Sequence, residues 1–209
     1  MRWPSLQTRG CESHGGSDAE LSGRRSTFRH GRDYVSITVP AFSERLDVNK
    51  LPSYHGRLPK TMKQVTIYRN WIQNLLQQGK IRKLPQKPRF TLPVRIVNER
   101  VTHDCRPLLP FITTDGRFPN LQSCWPIVTW AAQQPHLAKI DLKKAFHSIP
   151  LANDQIGAYA FELEGNYYAY MTMPMGATNA PKHFHQVMGI ILSKLPFSHD
   201  IRYYQDDIF

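Results

Sequence analysis

Three aspartates at the ends of short apolar segments constrain the fold of this 209-residue chain more than any other feature. Asp141 closes one such segment, and Asp206 and Asp207 close another. Burying an unpaired carboxylate costs several kcal/mol, so charges rarely follow apolar strands by accident. If the two strands are neighbours in a sheet, their ends form an acidic pocket that needs divalent cations. Taken alone, an Asp-Asp pair is also typical of a solvated turn.

Oxygen ligands of this kind favour Mg²⁺ or Mn²⁺ over softer metals. Two such ions, roughly 3.5–4 Å apart, would serve an in-line displacement at phosphorus. The spacing of the aspartates therefore indicates phosphoryl-transfer chemistry, with Asp141, Asp206 and Asp207 as the candidate ligands.

Basic residues outnumber acidic ones by 27 to 16, for a formal charge of +11. Residues 61–110 carry ten basic and two acidic side chains, whereas residues 111–209 carry seven and eight. This distribution favours a polyanionic partner, and a solvated basic surface is the alternative. No apolar run approaches the roughly 20 residues that span a bilayer, so we expect no membrane span.

The first 52 residues differ in texture from the rest of the chain. They are polar and rich in Gly and Arg, so we expect a disordered or weakly ordered basic segment, with a nucleic-acid-binding arm as the alternative. The N-terminus lacks the apolar stretch of a secretory signal, and three widely spaced Cys form neither a disulfide framework nor a zinc motif. These features predict an intracellular protein of the cytoplasm or nucleus.

Apolar periodicity predicts an α+β fold with helices packed on a small antiparallel sheet. Helical spacing runs from Val65 to Leu76 and is followed by Gly79, a typical C-terminal stop. Strands are predicted over residues 80–84, 91–97, 137–142 and 201–204, and a hairpin joins 160–163 to 167–172. A sixteen-residue helix is expected over 180–195, with Asn179 as its cap and Pro181 in its first turn.

Three ordered blocks carry a resemblance to a known family. They are residues 141–146 (DLKKAF), 174–181 (PMGATNAP) and 204–207 (YQDD). Together they resemble the metal-binding strand, the P-x-G-x-x-x-A/S-P loop and the Y-x-D-D turn of reverse transcriptases from retroviruses and retrotransposons. A looser match places residues 115–120 on the D-x-R-x-x-N segment of the fingers. The resemblance covers roughly residues 60–209.

The resemblance implies a right-hand polymerase fragment in three parts. Residues 1–52 would precede it, residues 53–125 would form the fingers, and residues 126–209 a partial palm with a fingers hairpin inserted at about 152–172. Because the sequence ends just after the Y-x-D-D turn, we expect the thumb and ribonuclease H to be absent. The hairpin would also lack its second strand, so we expect this truncated chain to be inactive alone.

The same resemblance assigns roles at the catalytic centre. Asp141, Asp206 and Asp207 would hold two Mg²⁺ or Mn²⁺ ions. Phe146 would pack under the deoxyribose and exclude a 2′-hydroxyl, although a plain core aromatic is the alternative. Met175 stands where retroviral enzymes usually have Gln, which favours a retrotransposon. Gly176 would let the backbone approach the base pair, or would simply form a turn before the helix.

The basic residues are harder to assign. The family has a basic residue that contacts the triphosphate about four positions before the D-x-R segment, but Phe111 stands four positions before Asp115. Either a short insertion shifts the alignment, or Lys80, Arg82 or Lys83 contacts the triphosphate. We rank Arg106 first for that role. Arg117 would contact the nucleotide or pair with Asp115. Contacts with nucleic acid are expected from Lys80, Arg82, Lys83 and Tyr204.

The function implied is RNA-directed DNA polymerisation, in which a primer 3′-hydroxyl attacks a deoxynucleoside triphosphate on an RNA or DNA template–primer duplex. We expect no membrane partner, and the oligomeric state is left open. The alternative is a catalytically inactive retroelement remnant that only binds nucleic acid. A two-metal nuclease would need similar carboxylates but not the blocks at 141–146 and 174–181.

Overall fold

The computed structural model of the chain describes residues 24–30, 33–113, 123–195 and 198–209. Within these ranges, short strands alternate with three α-helices. In chain order the elements are β1 (Arg24–His30), β2 (Asp33–Val39), β3 (Tyr54–His55), α1 (Met62–Gln77), β4 (Ile81–Lys83), β5 (Phe90–Thr91), β6 (Val94–Val97), β7 (Arg100–His103), α2 (Trp125–Ala131), β8 (Ile140–Asp141), β9 (Ala160–Leu163), β10 (Asn166–Tyr170), α3 (Ala180–Leu192), β11 (Tyr203–Tyr204) and β12 (Asp207–Ile208). No helix in the described part of the chain is long and apolar enough to cross a bilayer.

The strands form several small sheets rather than one large one. Two sheets have three strands, in the orders β4-β10-β9 and β11-β12-β8. The pairs β1-β2 and β6-β7 are antiparallel hairpins, and β3 pairs with β5 in parallel. The α+β class predicted from the sequence, with helices packed on antiparallel strands, is confirmed.

Helix α1 follows the predicted periodicity. The Thr61 side chain accepts a hydrogen bond from the backbone N–H of Gln64 and caps the helix start. Tyr68, Ile72 and Leu75 are buried, which is one stripe at helical spacing. Gly79 follows at a φ of +64°, a left-handed conformation that ends the helix.

The hairpin of β9 and β10 lies close to its predicted position. Glu164 and Gly165 both have positive φ, as a two-residue type I′ turn requires, so Asn166 belongs to β10 and not to the turn. The other edge of β10 pairs with β4, with Ala169 opposite Arg82. The β9–β10 hairpin is therefore in one sheet with β4, the strand that follows α1.

Helix α3 buries the apolar face that the sequence predicted, including Phe184, Val187, Met188 and Leu192. It ends at Leu192, three residues earlier than predicted. The physical reason is local, because Leu195 precedes a proline and such residues disfavour the helical conformation. Pro181 lies in the first turn as expected, but the Asn179 side chain makes no capping hydrogen bond to the helix.

The prediction for residues 1–52 differs from the structure over residues 39–51. Phe42, Glu44 and Leu51 are almost completely buried, and β2 precedes them. The prediction relied on the lack of a sustained apolar period inside the segment, whereas Phe42 and Glu44 contact residues more than 100 positions away. Residues 1–23 lie outside the described residues.

A buried aromatic network joins α1, β7 and β10. The two ring nitrogens of His103 lie 2.7 Å from the Tyr68 hydroxyl and 2.8 Å from the Tyr170 hydroxyl. The same imidazole stacks on Phe161 at a centroid distance of 4.3 Å. Complete burial lowers the pKa of His103 to about 3, so the ring is neutral in the folded protein at physiological pH.

This burial predicts a pH dependence of stability. Between pH 6.5 and about 3 the unfolded chain binds a proton at residue 103 that the folded chain does not bind. The free energy of unfolding should therefore fall as the pH falls, by up to about 1.4 kcal/mol per pH unit from this residue. His103→Gln should flatten the decline in urea unfolding curves recorded from about pH 7 to pH 5. Exposed His136→Gln is the control, and equal slopes for all three proteins would refute the prediction.

Candidate active site

The strand pairing brings the three predicted aspartates to one place in the fold. β12 is antiparallel to β8, with Asp207 directly opposite Asp141. Directly opposed residues project from the same face of a sheet with Cβ atoms about 4.5–5.5 Å apart. The backbone N–H of Leu142 donates to the carbonyl oxygen of Asp206 at 3.0 Å, which holds the turn against the end of β8.

Strand β8 is shorter than predicted, because it includes Ile140 and Asp141 but not the rest of residues 137–142. It lies at the edge of the sheet, and only these two residues have partners on β12. Ile140 is 39% exposed, so the apolar run before Asp141 is not a buried strand.

The second strand of the Y-x-D-D hairpin is present, which corrects the expectation that the hairpin lacks it. Tyr204 pairs with Asp207, and Tyr203 pairs with Ile208. Arg202 and Phe209 exchange two backbone hydrogen bonds of 3.0 and 2.8 Å. Two residues suffice to make β12 because it pairs on both sides.

The turn itself holds an unusual conformation. Gln205, its first central residue, has a φ of +54°. Hairpin turns of two residues need positive φ at this position to match the twist of the strands. A non-glycine residue in this conformation is strained, and the pairing on both sides of β12 holds it there.

Lys139 neutralises part of the acidic end of the sheet. Its Nζ lies 2.9 Å from Oδ2 of Asp207. That hydrogen bond raises the pKa of the Lys139 ammonium, and the charges of Asp207, Asp141 and Asp206 add to the effect. In the described residues no three His, Cys, Asp or Glu side chains are grouped to hold a metal ion, so the two-ion site stays a prediction. The all-oxygen donor set fits Mg²⁺ or Mn²⁺.

Helix α3 holds the hairpin through Tyr203, a residue that the sequence analysis missed. The Tyr203 hydroxyl donates to the carbonyl of His185 at 3.2 Å, and its ring stacks on the His185 ring at 4.6 Å. A Cβ at Gly189 would lie only 2.8 Å from the Tyr203 hydroxyl, so this helical glycine makes room for the contact. A glycine inside an apolar helix was the available signal.

Phe146 and Met175 line one pocket of about 190 Å³ with His103, Tyr170 and Lys144. The Phe146 ring is half-buried and stacks on Phe184 at 5.1 Å, so it combines a packing contact with a face on the pocket. Met175 is 56% exposed. The structure thus brings together the two blocks that the sequence analysis placed at the nucleotide.

Gly176 has a φ of +91°, a left-handed conformation that explains why glycine occupies this position. A Cβ there would lie 3.6 Å from the carbonyl oxygen of His103. The loop before α3 therefore turns sharply against the end of β7, which places Met175 beside the pocket.

The structure does not bring Arg106 to this pocket. Its Nη2 and Nε lie 2.5 and 2.8 Å from the carboxylate of Asp104, and the side chain is exposed. This pairing lowers the pKa of Asp104. Arg117 and Asp115 lie outside the described residues, so their predicted roles stay predictions.

Asp104 and Arg106 have the same D-x-R spacing as Asp115 and Arg117, a signal that the sequence analysis overlooked. Four positions before Asp104 stands Arg100, the first residue of β7. Arg100 is therefore a candidate for the role that was assigned to Arg106.

The basic residues after α1 divide into two kinds. Lys80 is half-buried and its Nζ donates to the carbonyl of His147 at 2.6 Å, so a structural contact occupies this ammonium. Arg82 and Lys83 are exposed on β4, whose first residue Ile81 is buried. Tyr204 is half-buried on β11, opposite Asp207. Its contact with nucleic acid stays a prediction, as do those of Arg82 and Lys83.

A hairpin with two aspartates, a third aspartate on the neighbouring strand and a helix packed behind them are features of a polymerase palm. Comparison with solved structures agrees. The foamy viral protease-reverse transcriptase dRH in complex with double-stranded DNA matches with a TM-score of 0.63 at 22% identity, over 81% of this chain and 29% of that one. The foamy viral protease-reverse transcriptase with an RNA/DNA hybrid gives 0.63 at 23%, over 81% and 22%.

Residues 60–209 match the sequence model of the family described as "Reverse transcriptase (RNA-dependent DNA polymerase)". The chain belongs to this family. It is 28% identical to the retrovirus-related Pol polyprotein from transposon 297 of Drosophila melanogaster over 176 residues, which is 75% of this chain and 15% of the polyprotein. It is 37% identical to the Gag-Pol polyprotein of Walleye dermal sarcoma virus over 71 residues, 33% of this chain and 4% of the polyprotein. The chain thus spans a small part of these relatives.

The strain at the turn of the Y-x-D-D hairpin generates a prediction. Gln205→Val places a β-branched side chain at positive φ and should lower the free energy of unfolding by about 1–2 kcal/mol. Urea unfolding measures the change. Gln133→Val, an exposed turn residue without positive φ, is the control. Equal stability of the two variants would contradict the assigned strain.

Proposed function

We propose that this chain is the fingers and partial palm of an RNA-directed DNA polymerase from an LTR-type retroelement, acting at the β8–β12 site. The observation that carries the proposal is the register that sets Asp207 opposite Asp141, with Asp206 in the adjoining turn. These three carboxylates would hold Mg²⁺ or Mn²⁺. The bound ions would lower the pKa of the primer 3′-hydroxyl and neutralise the triphosphate.

The chain's own residues would orient the deoxynucleotide. The face of Phe146 would pack against the sugar, where a 2′-hydroxyl would collide with the ring. Met175 would supply an apolar contact beside it, and the turn at Gly176 would bring the backbone close to the base pair. Arg100 would grip the triphosphate, a role supported by its position four residues before Asp104.

RNA or DNA template–primer duplexes are the proposed polymeric partners, with contacts from Arg82, Lys83 and Tyr204. Exposed cations contact phosphates without reading sequence, so the binding would be largely independent of sequence. Cys105 and Cys124 are free thiols, in keeping with the intracellular location that we propose.

The catalytic proposal predicts the effect of removing one carboxylate. Asp206→Asn should lower primer extension with Mg²⁺ or Mn²⁺ at least about a hundredfold, because several kcal/mol of charge stabilisation are lost. It should also weaken Mn²⁺ binding in calorimetry. Asp200→Asn, which changes an exposed aspartate, should behave like the unmodified chain.

The same experiment separates the two functions that the sequence left open. Extension above the Asp206→Asn background supports a polymerase. No extension together with duplex binding would instead support a catalytically inactive, nucleic-acid-binding remnant. Lys139 supports this second function, because its ammonium already occupies Asp207.

Duplex binding should depend steeply on salt. Each phosphate contact contributes about 0.9 to the slope of log K against log salt concentration, so Arg82→Ala with Lys83→Ala should lower the slope by about 2. Fluorescence anisotropy with a labelled template–primer measures it. The pair Lys50→Ala and Lys194→Ala makes the same charge change at exposed residues outside the segment 61–110. If both pairs lowered the slope equally, general charge would explain the binding.

A further inference from the structure

Residues 40–51, which we call the N-terminal strap, precede the region that matches the family and have no part in the proposed chemistry. The strap is nevertheless bound into the palm. The backbone N–H of Phe42 donates to the carbonyl of Pro150, and its carbonyl accepts from the N–H of Ala152, both at 2.8 Å. The Phe42 side chain is fully buried, and the ring of His183 on α3 contacts it edge-on at 5.4 Å.

Glu44 makes the most specific contact of the strap. Its side chain is almost completely buried. Oε1 accepts from the backbone N–H of Asn179 at 3.0 Å, and Oε2 accepts from Nδ2 of the same residue at 2.8 Å. One carboxylate thus grips both the backbone and the side chain of a residue 135 positions away.

Burying a carboxylate is unfavourable unless its hydrogen bonds offset the cost of desolvation. Hydrogen bonds to a charged acceptor are stronger than those between neutral groups. The two-point grip fixes the orientation of Asn179 as well as its position. The Asn179 amide N–H₂ is turned toward Glu44, and its Oδ1 makes no capping hydrogen bond to α3. A second contact supports the attachment, because Nε2 of His183 lies 3.1 Å from the carbonyl of Pro40.

Asn179 is the last residue of the loop that carries Met175 to the pocket beside Phe146. Asn179 lies four residues after Met175 and three after Gly176, whose positive φ makes the loop turn sharply. Met175 is itself exposed, so its position depends on how the two ends of this loop are held. Pro174 at one end is buried in the core, and Asn179 at the other is held by Glu44.

We infer that Glu44 is a positioning residue for the nucleotide: through Asn179 it fixes the 174–179 loop and so sets Met175 and Gly176 against the pocket. The inference rests on the proposed function insofar as the pocket receives a deoxynucleotide. The grip on the loop itself is independent of it, and the two parts have separate measurements.

Hydrogen exchange measures the grip without any activity. In Glu44→Ala the amides of residues 175–179 should exchange at least about tenfold faster, because hydrogen bonds to a charged acceptor are lost. Amides of α1 should keep their protection, which shows that the fold persists. Asp47→Ala, which removes an exposed carboxylate from the same strap, should leave the loop unchanged. Unaltered exchange in Glu44→Ala overturns the inference.

Nucleotide affinity measures the positioning. With template–primer and Mg²⁺, Glu44→Ala should raise the dissociation constant of a fluorescent deoxynucleoside triphosphate about tenfold, as expected for a misplaced contact residue. The salt slope of duplex binding should stay the same. A looser loop with unchanged nucleotide affinity would overturn the positioning role. If the unmodified chain bound no deoxynucleotide, the proposed function and the positioning role would both fail, and the exchange result would still report the grip.

A rescue experiment tests the same contact even if the alanine variant unfolds. Asn179→Asp sets two carboxylates against each other and should loosen the loop. Adding Glu44→Gln should restore protection and nucleotide affinity, because the new amide can accept from the backbone N–H and donate to the carboxylate introduced at position 179. Failure of this rescue, with α1 still protected, would show that the Glu44–Asn179 contact does not position the loop.

Discussion

The burial of Ile208 is the constraint on which the site depends. Side chains alternate between the two faces of a strand, so when Ile208 enters the core Asp207 must project to the other face. The register with β8 then gives Asp141 the same direction. One apolar contact near the end of the chain thus orients two carboxylates that would repel each other in the absence of cations. A slip of one residue between β12 and β8 would place the two carboxylates on opposite faces of the sheet.

Local patterns predicted much of the fold, and long-range contacts account for what they missed. Helices α1 and α3 and the β9–β10 hairpin carry their own periodicity or turn residues, so they could be found from short windows. Phe42 and Glu44 carry no such pattern, because their partners lie more than 100 residues away. β12 has only two residues, too few for any period to appear.

The site residues divide in the same way. The ordered blocks predicted Asp141, Phe146 and Met175, and the fold brings the last two to one pocket. Charge alone could not separate Lys80, whose ammonium is bound to a backbone carbonyl, from the exposed Arg82. The D-x-R spacing occurs twice, and only the copy at Asp104, directly after β7, lies in the described residues.

Lys139 has a consequence for how cations reach the acidic end of the sheet. Its ammonium sits on Asp207 like a tethered monovalent counter-ion, and its neighbours Asp141 and Asp206 feel the same charge. A divalent ion that used Asp207 would therefore have to displace the Lys139 ammonium, which the flexible lysine side chain would allow. Lys139 would then compete with the metal, and the apparent metal affinity would be the difference between two interactions with one carboxylate.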